Sequence, residues 1–252
     1  MSSQARLLAA RAQVNATLAG GAPARSALPF GDARIDDVLP GGGLPLGRWH
    51  EVVGDGLEIE TAAASGAFVA ALAAPLAARG AVVWVMRRDD LHAPGLAGIG
   101  FPAQALIQVC VRDEAEALGV LEDALGSVGV AAAIAETEGA DLVAGRRLQL
   151  ACERHGAAGF ILRRRPFGGQ GRNAASGSAA ATRWKIAPAP SEPAAGEPGL
   201  GAPRWRVELE RCRGGRPGAW IMEKADEEDR LRVVALLGDR QLEATPSWRL
   251  AG

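Results

Sequence analysis

The chain reads as an α/β protein with a mostly parallel central sheet flanked by helices and antiparallel hairpin strands in its C-terminal third. Three observations predict this. Short apolar runs alternate with helical segments between residues 48 and 163, the pattern of repeated βαβ units. Those runs lack polar alternation, so both faces of each strand are covered. Beyond Arg163 the runs alternate polar and apolar residues, which suits strands with one wet face.

Taken in order, residues 3–19 place Leu7, Leu8, Val14 and Leu18 at roughly helical spacing, and Gly20-Gly21 ends the pattern. Residues 1–20 are therefore an N-terminal helical arm, either a packing arm or one that docks on another protomer. A Gly/Pro-rich lead-in follows over residues 21–47, with two helical turns expected at Ala33–Leu39. Strands are expected at Arg48–Val53, Ala81–Met86, Leu106–Val111, Val128–Ala135 and Ala158–Arg163. Helices are expected at Thr61–Arg79, Asp113–Gly126 and Asp141–His155. Hairpin strands follow at Thr182–Ile186, Arg204–Glu210, Ala219–Glu223 and Leu231–Leu236. The Gly-, Ala-, Ser- and Pro-rich stretches near 164–181 and 187–203 are expected to be mobile loops. Residues 21–252 form one domain.

Composition constrains function mainly by exclusion. The chain has 252 residues, 48% hydrophobic but only 4% aromatic, with no Tyr. A core built largely of Ala, Val and Leu must pack its backbones closely. Cys110, Cys152 and Cys212, like His50, His92 and His155, are scattered without metal spacing, so no metal site is expected. The odd cysteine count suits a reducing, cytoplasmic setting. The apolar run Ala67–Ala78 is interrupted by Pro75 and falls short of a membrane span. Net charge is -1.

The informative stretch is Asp36 to Thr61, DDVLPGGGLPLGRWHEVVGDGLEIET. A short helix, the glycines Gly41 to Gly43, and the turn Leu44-Pro45-Leu46-Gly47-Arg48 lead into a strand and then Gly54. This resembles the RecA-family recombinases, in which such a segment feeds the first strand and a phosphate loop, and the resemblance implies a RecA-like domain. A working loop reads G-x-x-x-x-G-K-[ST]: backbone N–H groups cradle phosphates, Lys reaches the terminal ones, and the hydroxyl holds Mg²⁺. In register with Gly54, the second Gly becomes Ile59, the Lys becomes Glu60, and only Thr61 survives. Ile59 puts a β-branched side chain where backbone must approach the ligand. Glu60 turns an attraction of about 4 kcal/mol, at ~4 Å and an effective dielectric near 20, into a repulsion. Thr61 also has an ordinary role as a helix N-cap. The catalytic Glu of RecA-like ATPases falls on Arg88, one residue from Asp89, and the metal-binding Asp falls on Glu136. No catalysis, nucleotide or other cofactor is expected.

Three segments, Leu28–Val53, Asp141–Arg164 and Arg204–Glu223, are similar to the ImuA family of RecA-related accessory proteins. That resemblance implies a non-catalytic adaptor in damage-induced (SOS) mutagenesis and translesion synthesis. The implied partners are an ImuB-type, Y-family-like protein and an error-prone DNA polymerase, with RecA and single-stranded DNA as further candidates. The alternatives are a divergent RecA-like NTPase, or a stand-alone single-stranded-DNA-binding protein or RecA regulator. RecA protomers dock an N-terminal arm on the core sheet of a neighbour; the resemblance implies that an ImuB-type partner fills this groove.

Residues 160–220 carry a net charge of +7, and the remainder about −8. Trp184 and Trp205 each stand beside Arg, either a combination that tracks phosphates and stacks bases or an Arg-rich solvated face with Trp packed on a hairpin. The candidate contacts for DNA or an acidic partner are Arg163, Arg164, Arg165, Arg172, Arg183, Trp184 and Lys185. Arg146 and Arg147 are added from the helix Asp141–His155, on the expectation that Leu142, Val143, Leu150 and Ala151 point elsewhere.

Overall fold

A computed structural model describes residues 27–164, 178–193, 196, 199–224 and 231–237. The lead-in is a belt rather than a loop. Strand β1 (Ala27–Leu28) pairs antiparallel with β2 (Leu44–Pro45), and α1 (Ala33–Asp36) lies between them, capped by the Asp32 carboxylate. Phe30, Ile35, Leu39, Leu44 and Leu46 are all buried against the sheet. Gly43 is required here because a Cβ would overlap the Leu28 carbonyl.

Strand β3 (Trp49–Gly54) leads to α2 (Glu58–Ala73), which begins three residues before the expected Thr61. A 3₁₀ turn at Ala74–Ala78, opened by Pro75, completes that apolar stretch. Together Glu58–Ala78 is long and apolar enough to cross a membrane by composition, yet here it packs on the sheet as a core element. The chain continues through β4 (Ala81–Met86), α3 (Ala93–Ala97), β5 (Leu106–Cys110), α4 (Glu114–Leu125), β6 (Val130–Thr137), α5 (Leu142–His155) and β7 (Ala158–Arg163). Asp113 and Asp141 cap α4 and α5 through their carboxylates. Gly156, at φ 76°, ends α5 in the left-handed conformation that glycine adopts without penalty. The remaining strands are β8 (Thr182–Ala189), β9 (Arg204–Cys212), β10 (Gly218–Lys224) and β11 (Leu231–Leu236).

Nine strands form one sheet in the order β11-β10-β9-β8-β3-β7-β6-β4-β5. All pairs from β5 to β8 are parallel, and β8 through β11 pair antiparallel. The sheet separates two cores. On one side α2 covers Val52, Trp84, Phe160, Trp184 and Trp205. On the other, α4 and α5 cover Trp49, Val83, Val85 and Ile161. The α/β class and the change to antiparallel pairing match the sequence reading.

Two loop expectations need revision. Ala187, Pro188 and Ala189 belong to β8, paired with Arg206, Trp205 and Arg204, so the second loop begins later than residue 187. Ala180 and Ala181 are buried, and the Ala181 N–H donates to the Trp49 carbonyl, so that end of the first loop is fixed. Residues 165–177 and the arm 1–20 lie outside the described residues. Cys152 is buried, Cys212 half-buried, and Cys110 exposed on the edge strand.

Candidate functional site

In a parallel sheet, ligands are received in the crevice outside the carboxyl ends of the strands. Here that crevice lies where β3, β4, β6 and β7 end and α2 begins. Four parts of the chain converge on it, and one side chain joins them. The Arg164 guanidinium reaches Glu136 at 2.8 Å, Asp90 at 3.1 Å and Glu58 at 3.1 Å. Glu136, at the end of β6, is only 1% exposed. Its other oxygen accepts from the Trp84 indole N–H at 2.9 Å. Burial pushes the Glu136 carboxyl above the usual carboxylate range, with Arg164 and Trp84 opposing. Burial likewise opposes the charge on Arg164, but Glu136, Asp90 and Glu58 outweigh it and hold the guanidinium protonated.

The phosphate-loop positions are closed in the same way. Gly54 lies so close to α2 that a Cβ would overlap Thr61 Oγ1. The Thr61 hydroxyl donates to the Leu57 carbonyl at 3.0 Å, one turn back. Thr61 is therefore a buried residue of the first turn, not the N-cap. Glu60 accepts from the Leu57 N–H at 3.4 Å and, with Glu58, places negative charge at the positive end of the helix dipole. The helix end that would greet a phosphate is thus served by its own carboxylates. Ile59, in the first turn of α2, is 92% exposed, standing out beside Leu57. Asp55 is held from the other side by Lys185 at 3.3 Å and by Arg206. Arg88 is exposed and lies 3.8 Å from Asp90. Glu136, expected at the metal-binding position, is spent on Arg164 and Trp84.

Among the described residues, Arg163, Arg164, Arg183, Lys185, Arg204 and Arg206 of the basic third are each paired with an acid of the same chain. Arg163, mostly buried, reaches Glu51 at 3.3 Å. Arg183 lies between Glu51 and Glu210, and Lys185 between Asp55 and Glu210. The acids come from β3, the loop after it, α2 and β6, so a count within residues 160–220 cannot see most of them. Trp184 is wholly buried, its indole N–H donating to Thr182 Oγ1 at 2.7 Å. Trp205 is buried too and donates to the Ala64 carbonyl at 2.9 Å. Strand alternation puts the tryptophans and the arginines on opposite faces, so the expected base-stacking surface is not assembled. Arg165 and Arg172 lie outside the described residues.

Two open surfaces stand out among the described residues. The first is the edge strand β5, whose outer side has no strand partner among the described residues. Beside it runs a groove of about 740 Å³ lined by Ala74, Ala77, Ala78, Gly100, Ala105 and Ile107. The second is α5, whose faces are reversed from expectation. Gly145, Leu148, Ala151 and Cys152 turn inward, while Leu142, Val143 and Leu150 are exposed beside Arg146 and Arg147. Gly145 and Gly159 permit this, since a Cβ at either would crowd Trp49. Arg147 pairs with Glu122 of α4 at 2.5 Å.

Sequence reasoning missed Glu51, Asp55, Glu58 and Asp90. Glu51 carried a signal, a carboxylate inside the apolar run WHEVV; the others look like ordinary loop or helix-start acids.

Fold and site together define an α/β protein with a largely parallel sheet, whose ligand crevice is filled by its own charged side chains. No family model matches the chain. Protein ImuA of Caulobacter vibrioides strain NA1000 / CB15N is 58% identical over 233 residues, covering 89% of this chain and 96% of the relative. Protein ImuA of Caulobacter vibrioides strain ATCC 19089 matches to the same extent. The chain belongs to the ImuA family.

Proposed function

We propose that the chain is a non-catalytic, RecA-like accessory protein of damage-induced translesion synthesis, acting in the cytoplasm. In this reading it is an adaptor that holds an ImuB-type, Y-family-like protein and, with it, an error-prone DNA polymerase. Membership of the ImuA family supports the setting. The observation that carries the absence of catalysis is the Arg164 cluster: Glu58, Asp90 and Glu136 surround a guanidinium where phosphates and a metal ion would have to sit. Ile59 and Glu60 add bulk and like charge at the same place. Millimolar Mg-ATP should leave the melting temperature unchanged. An upward shift would report binding to the folded state and overturn the reading.

The open β5 edge with its apolar groove supports the adaptor role. An exposed edge offers backbone N–H and C=O groups to an extended segment, and an adjacent groove takes alternate side chains. Co-purification tests this: Ile107→Lys should abolish retention of the ImuB-type partner by a still-folded chain. Full retention by that variant would remove the groove from the reading.

A further inference from the structure

The face of α5 that looks away from the sheet is a second binding surface, independent of the β5 groove and of the closed crevice. Leu142, Arg146 and Leu150 stand in one i, i+4, i+8 row, and Val143 flanks it. The three aliphatic side chains are 66%, 46% and 71% exposed for Leu142, Leu150 and Val143. A helix that merely covers a sheet turns such residues inward; this one spends its inward face on Gly145, Leu148, Ala151 and Cys152 and leaves Leu142, Val143 and Leu150 outside.

The charge around the stripe is one-sided. The carboxylates that border it are engaged: Asp141 by the Ala144 N–H as the helix cap, Glu122 by Arg147, and Glu153 by Arg48 and the Gln149 amide. Arg146, in the middle of the stripe, and Arg154, at its C-terminal end, have no ion-pair partner among the described residues. A helix offers no free backbone groups along its length, so an added strand has nothing to pair with. Its ridge instead meets another helix packed lengthwise. The chain's own N-terminal arm is the wrong occupant by charge. Residues 1–26 contain Arg6, Arg11 and Arg25 and no acid, which sets cation against cation.

We propose that the outer face of α5 binds an acidic amphipathic helix of a partner protein, with Leu142, Val143 and Leu150 as apolar anchors and Arg146 as the selector for carboxylates. Apolar anchors supply most of the energy of such a contact, and the charge decides which helix is accepted.

The test uses the full-length chain and a stapled helical peptide of about 18 residues, five turns, with Leu on one face and Glu along its borders. A second peptide carries Lys in place of Glu. Fluorescence anisotropy should show binding of the Glu peptide and none of the Lys peptide. Arg146→Glu should weaken the Glu peptide by about tenfold or more and admit the Lys peptide. Leu142→Ser with Leu150→Ser should abolish both, with the melting temperature unchanged because these side chains are exposed. Absence of Glu-peptide binding, or binding indifferent to Arg146→Glu, overturns the proposal. If the peptide binds only after Leu7→Asp and Leu8→Asp, the arm is the occupant and the proposal fails. If ultracentrifugation shows a dimer that Arg146→Glu dissolves, the occupant is a second copy and the partner assignment fails.

Discussion

The crevice at the carboxyl ends of the parallel strands and the free edge at β5 handle polar groups in opposite ways. In the crevice the central charges are paired within the chain: Arg164 with Glu136, Asp90 and Glu58, and Asp55 with Lys185 and Arg206. At β5 the backbone stands without a strand partner among the described residues, beside a groove of small apolar side chains. The difference separates what the fold needs for itself from what it offers. A buried charge left unpaired is costly, so the closed end is a matter of stability. An exposed edge costs little while it is solvated, and it is worth something only to a partner.

Breaking the closed end should therefore hurt most. Arg164→Ala leaves the buried Glu136 without its cation, and such a loss costs about 3 kcal/mol or more. Urea unfolding should show it as a lower midpoint with an unchanged slope. Arg164→Lys should recover part of the loss, since one ammonium cannot reach three carboxylates. A change below about 0.5 kcal/mol, the scale of an ordinary surface substitution, would mean that the cluster is decoration.

Acid should probe the same contrast from inside the sheet. His50 is buried at the root of β3; its ring nitrogens contact Thr182 Oγ1 at 2.8 Å and the Pro45 carbonyl at 3.0 Å. Burial lowers its pKa from 6.5 to about 4. The unfolded chain thus binds a proton that the folded chain refuses. The contribution is fully present above pH 6.5 and is lost as pH falls toward 4, by up to about 3 kcal/mol. A His50→Gln variant, if folded, should show a shallower decline of melting temperature over that window. Equal slopes would remove His50 from the account.

The open edge should respond least. Ile107→Lys should shift stability by less than about 0.5 kcal/mol while removing partner retention. A large destabilisation would show that the edge serves the fold after all.

Much of the architecture was legible because it follows from short-range pattern. Ala81–Met86 and Ala158–Arg163 read directly as β4 and β7, being apolar runs bounded by breakers. Leu231–Leu236 matches β11 as well, and the other expected strands and helices shift by a few residues at their ends. The start of α2 was misplaced because Glu58 and Ile59 were read as loop, whereas acids suit a first helical turn. The site was less legible. Ion pairs join residues far apart in sequence: Arg164 and Glu58 are separated by 106 positions, Arg163 and Glu51 by 112. A local charge count sees arginines and misses the acids that neutralise them. The orientation of α5 was hidden for a related reason. Its core face sets Gly145 against Trp49 beside Leu148, Ala151 and Cys152, and a glycine adds no hydrophobic signal to mark that face.

The tight approach of Gly54 to Thr61 bears on evolutionary reversal. Replacing Glu60 by Lys would remove the acceptor of the Leu57 N–H and add a cation at the positive end of a helix. It would leave Ile59 projecting from the first turn of α2 and Arg164 lodged among three carboxylates. Removing Arg164 first would strand Glu136. On the proposed reading, each single step toward a phosphate site is downhill in stability and yields no binding until several have accumulated. On that reading, descendants of such a chain are held on one side of a valley, free to vary their docking surfaces but not their closed crevice.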